Sequence, residues 1–202
     1  MKRLHKIEIS LAFGLIFAIV FSVAGFGADC STVRDNVVRL HILADSDCQA
    51  DQNVKLLVRD ALLESGAEIF SGEISKEEAA LALEKDKDKL IDTAKSVLLE
   101  NGFDYGVTVS LVNEYFTTRT YEDYTLPAGE YLSLKVVLGK GEGHNWWCVM
   151  FPPLCLPAAS ETADIDAVLG ADGARLIQSN PEYEMRFKVV EIYERIKNAL
   201  KD

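Results

Sequence analysis

Positive charge is scarce in this chain. Only 21 Lys and Arg stand against 32 Asp and Glu in 202 residues, a formal net charge of −11. That sign disfavours electrostatic capture of nucleic-acid phosphates. Cysteine is scarce too. Four in a chain of this length make neither a disulfide-dense miniprotein nor a zinc-ribbon array. The short signatures of common enzyme chemistry are missing: there is no G-x-S-x-G, no H-E-x-x-H and no P-loop ending in Gly-Lys-Ser/Thr. No internal repeat is visible and no cofactor is expected. What remains is 49% apolar, too apolar for wholesale disorder and suited to one or two small domains. So acidic a body is repelled by anionic lipid unless something anchors it.

The N-terminus supplies such an element. A basic head, MKRLHKIE, precedes a run from Ile9 to Ala28 that carries no charge. Its densest part, Leu11 to Val23, has the length of a secretory h-region, and the whole run is long enough to span a bilayer. Small residues at Ser22 and Ala24, or at Gly25 and Gly27, suit signal peptidase, and Asp29 directly before Cys30 argues against a lipoprotein site. Residues 1–28 are therefore expected to be a signal peptide or membrane anchor, 29–160 an α/β domain, and 161–202 an acidic linker with a C-terminal amphipathic helix. Contact with a membrane is expected only through 9–28. Export favours thiol pairing, and Cys148 and Cys155 are seven positions apart, so a Cys148–Cys155 disulfide is expected. Cys30 and Cys48 either pair or serve as small apolar fillers.

Along the body, residues 33–43 alternate, with Val38, Leu40 and Ile42 on one side and Arg39 and His41 on the other, which predicts a strand. After the turn Ala44-Asp45-Ser46-Asp47, the apolar set Val54, Leu57, Val58, Ala61 and Leu62 predicts an amphipathic helix to about Ser65, stopped by Gly66. Ser75-Lys76-Glu77-Glu78 has capping-box spacing and opens a second helix that Asn101-Gly102 ends. Its alternating charges at 84–89 suit a solvated face. The period then falls to two through Tyr105, Val107, Val109 and Leu111, and a further strand is predicted over Glu130 to Leu138. Residues 157–183 read as a linker with at most a short helical turn, and Val189, Tyr193, Ile196 and Leu200 stripe a C-terminal helix. The order predicts an α/β (α+β) fold: a small mixed or antiparallel sheet of three to five strands, two helices on one face, and a C-terminal helix.

Four groups of residues invite a chemical role. His41 with Asp45, Asp47 and Asp51 has the ligand types for a divalent ion or acid–base work. The competing account has Asp45, Ser46 or Asp47 capping the helix, Asp51 pairing with Lys55, and His41 filling a strand face. His144, Cys148, Cys155 and Cys48 are zinc-type ligands at a spacing that matches no standard zinc module. Gly139, Gly141 and Gly143 follow a strand as a phosphate loop would, but no helix follows them, so a flexible turn is the better account. Both tryptophans of the chain fall in the charge-free stretch Trp146 to Leu156. It is either a core strand stiffened by Pro152-Pro153 or a partly exposed aromatic anchor for a protein partner.

The blocks Arg39 to Asp47, Asp51-Gln52 with Lys55 and Val58-Arg59-Asp60, Leu126 to Tyr131, Arg186 to Glu191, and above all Asn145-Trp146-Trp147-Cys148-Val149-Met150-Phe151-Pro152-Pro153-Leu154-Cys155 resemble the stage II sporulation protein R family. Asp45 departs from that pattern, where Asn is usual. The resemblance implies a secreted signalling protein of endospore formation, exported into the space between forespore and mother-cell membranes. Its partner there is a membrane-embedded mother-cell aspartic protease, which it activates and which then cleaves a sigma-factor precursor. On that account the chain is not an enzyme, and Trp146, Trp147, Phe151, Arg39, His41, Asp51, Gln52 and Arg59 are the candidate partner-binding residues. The alternatives are an exported metal-dependent hydrolase using His41 and its neighbouring carboxylates, or an envelope-anchored structural module.

Overall fold

The computed structural model describes residues 2–70, 75–121, 124–154, 165–178 and 184–200. The fold is mixed α+β, and the chain divides into two compact units: residues 35–116 with 130–170, and residues 1–34 with 117–129 and 171–202.

The first of these units is built on a four-stranded sheet. Its strands are β1 (Val38–Leu43), β2 (Val107–Phe116), β5 (Gly129–Leu138) and β6 (Asn145–Phe151), in the order β2-β5-β1-β6. The central β1 runs parallel to β5 and antiparallel to β6. Alternation puts Val38, Leu40 and Ile42 on one face, where they join Leu134, Val136 and Leu138 of β5. That face packs on α2 (Gln49–Ile69), α3 (Lys76–Lys85) and α4 (Lys87–Glu100) through Val54, Val58, Leu62, Ala79, Leu83, Leu90, Ala94 and Leu98.

Several local expectations need correction. The predicted strand over 33–43 begins only at Val38, because a long helix, α1 (Lys2–Asn36), runs on through 33–36. Gly66 does not stop α2; it lies buried inside it. A Cβ there would come within 2.5 Å of Met150 Cε and 3.4 Å of Phe70, so the glycine serves helix–strand packing. The helix opened by the Ser75 capping box breaks at Asp86, and α3 and α4 each bury their own apolar set. The expected linker over 157–183 contains α5 (Ile165–Ile177), interrupted at Gly170 with φ 69°. Small residues and that break blur its period.

The second unit has α1, the short pair β3 (Arg119–Thr120) and β4 (Thr125–Leu126), the last turns of α5, and α6 (Glu184–Ala199). Phe26 of α1 meets Phe187 of α6 edge-on at 5.2 Å, and Arg34 pairs with Glu194 at 3.3 Å. Arg34 also donates to the Ala128 carbonyl at 3.1 Å. Upstream of these contacts Ile7, Leu11, Phe13, Phe17 and Phe21 of α1 are exposed, and the helix is long and apolar enough to cross a membrane. An N-terminal apolar helix of this kind fits a signal sequence. Val189, Tyr193 and Ile196 of α6 and Leu200 just after it are exposed, whereas Phe187 and Val190 are buried. The burying face of α6 is thus not the apolar stripe visible in its sequence.

Candidate functional site

The candidate residues gather at the β1–β6 pair and the loops at its end. Register sets His41 opposite Trp147, Ile42 opposite Trp146 and Leu43 opposite Asn145. Because successive side chains alternate, the two tryptophans leave β6 on opposite faces. Trp146 packs on the helix-backed core beneath Arg59 of α2, whose guanidinium lies 4.5 Å from the ring centroid. Its indole Nε1 is buried and meets no acceptor among the described residues. Trp147 stacks on His41 at 3.6 Å and meets Phe116 edge-on at 4.7 Å. Both indoles are half-buried.

His41 is 4% exposed and engaged at both nitrogens. Nδ1–H donates to the Glu114 carboxylate at 2.9 Å, and Nε2 lies 2.8 Å from the Asn145 side-chain amide. Lys135 approaches the other Glu114 oxygen at 3.5 Å. Arg39 is fully buried: Nε donates to the Cys148 carbonyl at 2.9 Å, and the guanidinium lies over Phe116 at 4.3 Å and Tyr131 at 5.1 Å. These side chains brace β1, β2, β5 and β6 against one another. A buried charge in such a setting needs this density of partners.

The turn after β1 behaves differently from either account given for it above. The cap of α2 is Cys48, whose Sγ accepts from the Asp51 N–H at 3.4 Å. Asp45 and Asp47 are drawn instead to the loop after β5. Lys140 N donates to Asp45 at 2.7 Å and His144 N to Asp47 at 2.6 Å, while the His144 ring also bonds Asp47. Two backbone bonds, from Glu142 to the Asp45 carbonyl and from Gly143 to the Ala44 carbonyl, complete the clasp. Glycine is required there. Gly139 has φ +57°, and a Cβ on it would fall 2.0 Å from Asp45 Oδ1; one on Gly143 would fall 2.2 Å from the Ser46 carbonyl oxygen.

Asp51 does not pair with Lys55. It accepts from the Ser46 hydroxyl and from Tyr105 at 3.4 Å, while Lys55 donates to Gln52 at 2.6 Å and to the His144 carbonyl at 2.8 Å. The Ser46 hydroxyl holds the Asp51 carboxyl below the usual carboxylate range, against the opposing effect of burial. Burial pushes the Lys55 ammonium down and the Tyr105 phenol up. Gln52, through its amide donation to the Ser46 carbonyl at 2.9 Å, ties α2 to the same turn.

The structure thus divides the candidates: Arg39, His41 and Trp147 lie on one face of the β1–β6 pair, Arg59 and Trp146 on the other, and Asp51 and Gln52 bond the turn after β1. Phe151 lies apart from them, buried in the core edge-on to Phe70 at 5.3 Å. Cys148 is disulfide-bonded, and Cys30 and Cys48 carry free thiols. Cys155, named as the expected partner of Cys148 and as a zinc-type ligand, lies outside the described residues. Glu114, Asn145, Lys135 and Tyr105 were not singled out by sequence. The one available signal was Glu114, the single charge in β2.

The family model described as stage II sporulation protein R matches residues 34–161, which contain the whole site. A curated protein named Stage II sporulation protein R, from Bacillus subtilis (strain 168), is 36% identical over 123 residues, covering 61% of this chain and 55% of that protein's length. The chain therefore spans about half the length of the curated relative it matches. No solved structure matches.

Proposed function

We propose a function that proceeds from family membership: the chain belongs to the stage II sporulation protein R family and has a role in sporulation. Within that role it acts as an exported ligand. It crosses the forespore membrane by way of its N-terminal helix and reaches the space between forespore and mother cell. There it activates a membrane-embedded aspartic protease, which cleaves a sigma-factor precursor. The observation that carries a binding role over a reactive one is the condition of His41. Both ring nitrogens are taken and one ring face is covered by Trp147, so the imidazole positions its neighbours and offers no free base.

The contact surface on this account is the end of the sheet where Arg59 and Trp146 lie together, with Gln52, Asp51 and the 44–48 turn beside them. His41 and Trp147 brace that end from the opposite face, and Phe151, at the other end of β6, takes no part in it. A Cys148–Cys155 disulfide would stiffen the segment that follows. Preorganisation of this kind lowers the ordering cost of binding.

The test reconstitutes the full chain with the candidate protease and its precursor substrate in vesicles. Cleavage and urea midpoint are then measured for W146A and R59A. At least one variant is expected to keep its unfolding free energy within about 1 kcal/mol and lose cleavage at least tenfold, as truncation of a binding hot spot does. Normal cleavage by both folded variants would overturn the placement of the contact. Absence of any protease stimulation by the unsubstituted chain would overturn the function.

A further inference from the structure

We propose that β2 is a self-pairing edge: two copies of this chain join their sheets by antiparallel pairing of β2 across a two-fold axis. The proposal does not use the protease reading above. It starts from a difference between the two edges of the sheet, β6 and β2. β6 is seven residues long, its last four are buried, and Pro152-Pro153 follow it, offering no N–H to a neighbour. Over Val107–Asn113, and among the described residues, β2 has none of the devices that guard an edge. It is ten residues long, and Val107–Asn113 contains no charge, no proline and no glycine. Thr108 and Asn113 are exposed, and Val107, Ser110, Leu111 and Val112 are half-buried. Among the described residues, no backbone bond from outside the sheet reaches 107–113. The outward N–H and C=O groups of this stretch are a template for another strand.

A second copy fits that template because the strand is complementary to itself. Opposed residues of an antiparallel pair share a face, so the axis must pass through a residue. With Leu111 on the axis, Val109 meets Asn113 and Ser110 meets Val112. With Ser110 on it, Val109 meets Leu111 and Thr108 meets Val112. In neither register does Glu114 face its own copy; it meets Thr108 or Gly106, and its carboxylate is already held by His41 and Lys135. No like-charge pair arises along the ladder. The opposing force is the net charge of −11 on each copy, which salt screens. Pairing is therefore expected to strengthen with salt, the reverse of a contact held by opposite charges.

Symmetric cross-linking of the full chain in detergent tests this, since a cysteine at the axis meets its own copy and one a few residues away does not. Under mild oxidation, L111C or S110C is expected to give a disulfide-linked species of twice the chain's mass. The yield should exceed that of T108C at least tenfold and rise between about 0.05 M and about 0.3 M salt. The unsubstituted chain, with its free Cys30 and Cys48, sets the background. Sedimentation should show a dimer whose association L111K weakens at least tenfold without change in circular dichroism. If L111K loses its fold, V112K on the opposite face of the strand makes the same test. Equal cross-linking at 108 and at the axis, a monomer at every salt concentration, or a dimer untouched by the folded lysine variants would overturn the proposal.

Discussion

Trp146 and Trp147 differ by one position in sequence and by a whole face of the sheet in space. Trp146 belongs to the helix-backed side, an apolar core rimmed by Arg59. Trp147 belongs to a side on which Arg39 and His41 are buried and the half-buried Glu114 and Lys135 bond beside them. A contiguous motif in a strand is thus two half-motifs, each answering to different neighbours. On the first face, loss of a side chain removes area. On the second it also strands a polar partner, and the two kinds of loss can be separated by measurement.

The largest effect is expected from W147A. It removes the stack on His41 and the edge contact to Phe116, and a half-buried tryptophan should cost about 3 kcal/mol, the lower end for such truncations, read as a shift in urea midpoint. H41Q comes next at about 2 kcal/mol, because Glu114 loses a donor while remaining half-buried. The urea slope should be unchanged, since the same surface unfolds. R59A acts on the other face and should cost only about 1 kcal/mol, the worth of a half-buried cation–π pair, together with a change in tryptophan emission. A stability loss for R59A as large as that for W147A would erase the distinction between the faces.

The smallest effect is one of pH. Asp51 is held below the ordinary carboxyl value of about 3.9, so its contribution is fully present above that pH and is lost as pH falls through the folded value. S46A removes the leading cause. The gap in urea midpoint between S46A and the unsubstituted chain should be greatest near neutrality and close in acid. A gap independent of pH would show that Ser46 acts only through packing.

Legibility in the sequence followed the range of the interaction. The alternation of Val38, Leu40 and Ile42, the α2 stripe and the Ser75 capping box are written in neighbouring residues, and the structure contains all three, except that Leu57 of the stripe is exposed. What failed to show depends on distant chain. Gly66 resembles a helix stop until Met150 is seen against it. The α2 cap falls to Cys48, a weak acceptor, because the better acceptors at 45 and 47 are claimed by the loop at 139–144. For His41, the strand face was legible, but its partners Glu114 and Asn145 stand 73 and 104 positions away. No local period carries that information.

The position of β1 has a consequence for how the molecule forms. Its register partners begin at Leu132 and end at Phe151, so the central strand stays without either neighbour until nearly the whole of the sheet-bearing unit is present. Pairings this far apart in sequence are slow to close. A chain threaded through a membrane N-terminus first would therefore emerge with helices able to form and a sheet unable to. For a chain making such a passage, this topology would delay commitment to the folded state until the crossing is complete.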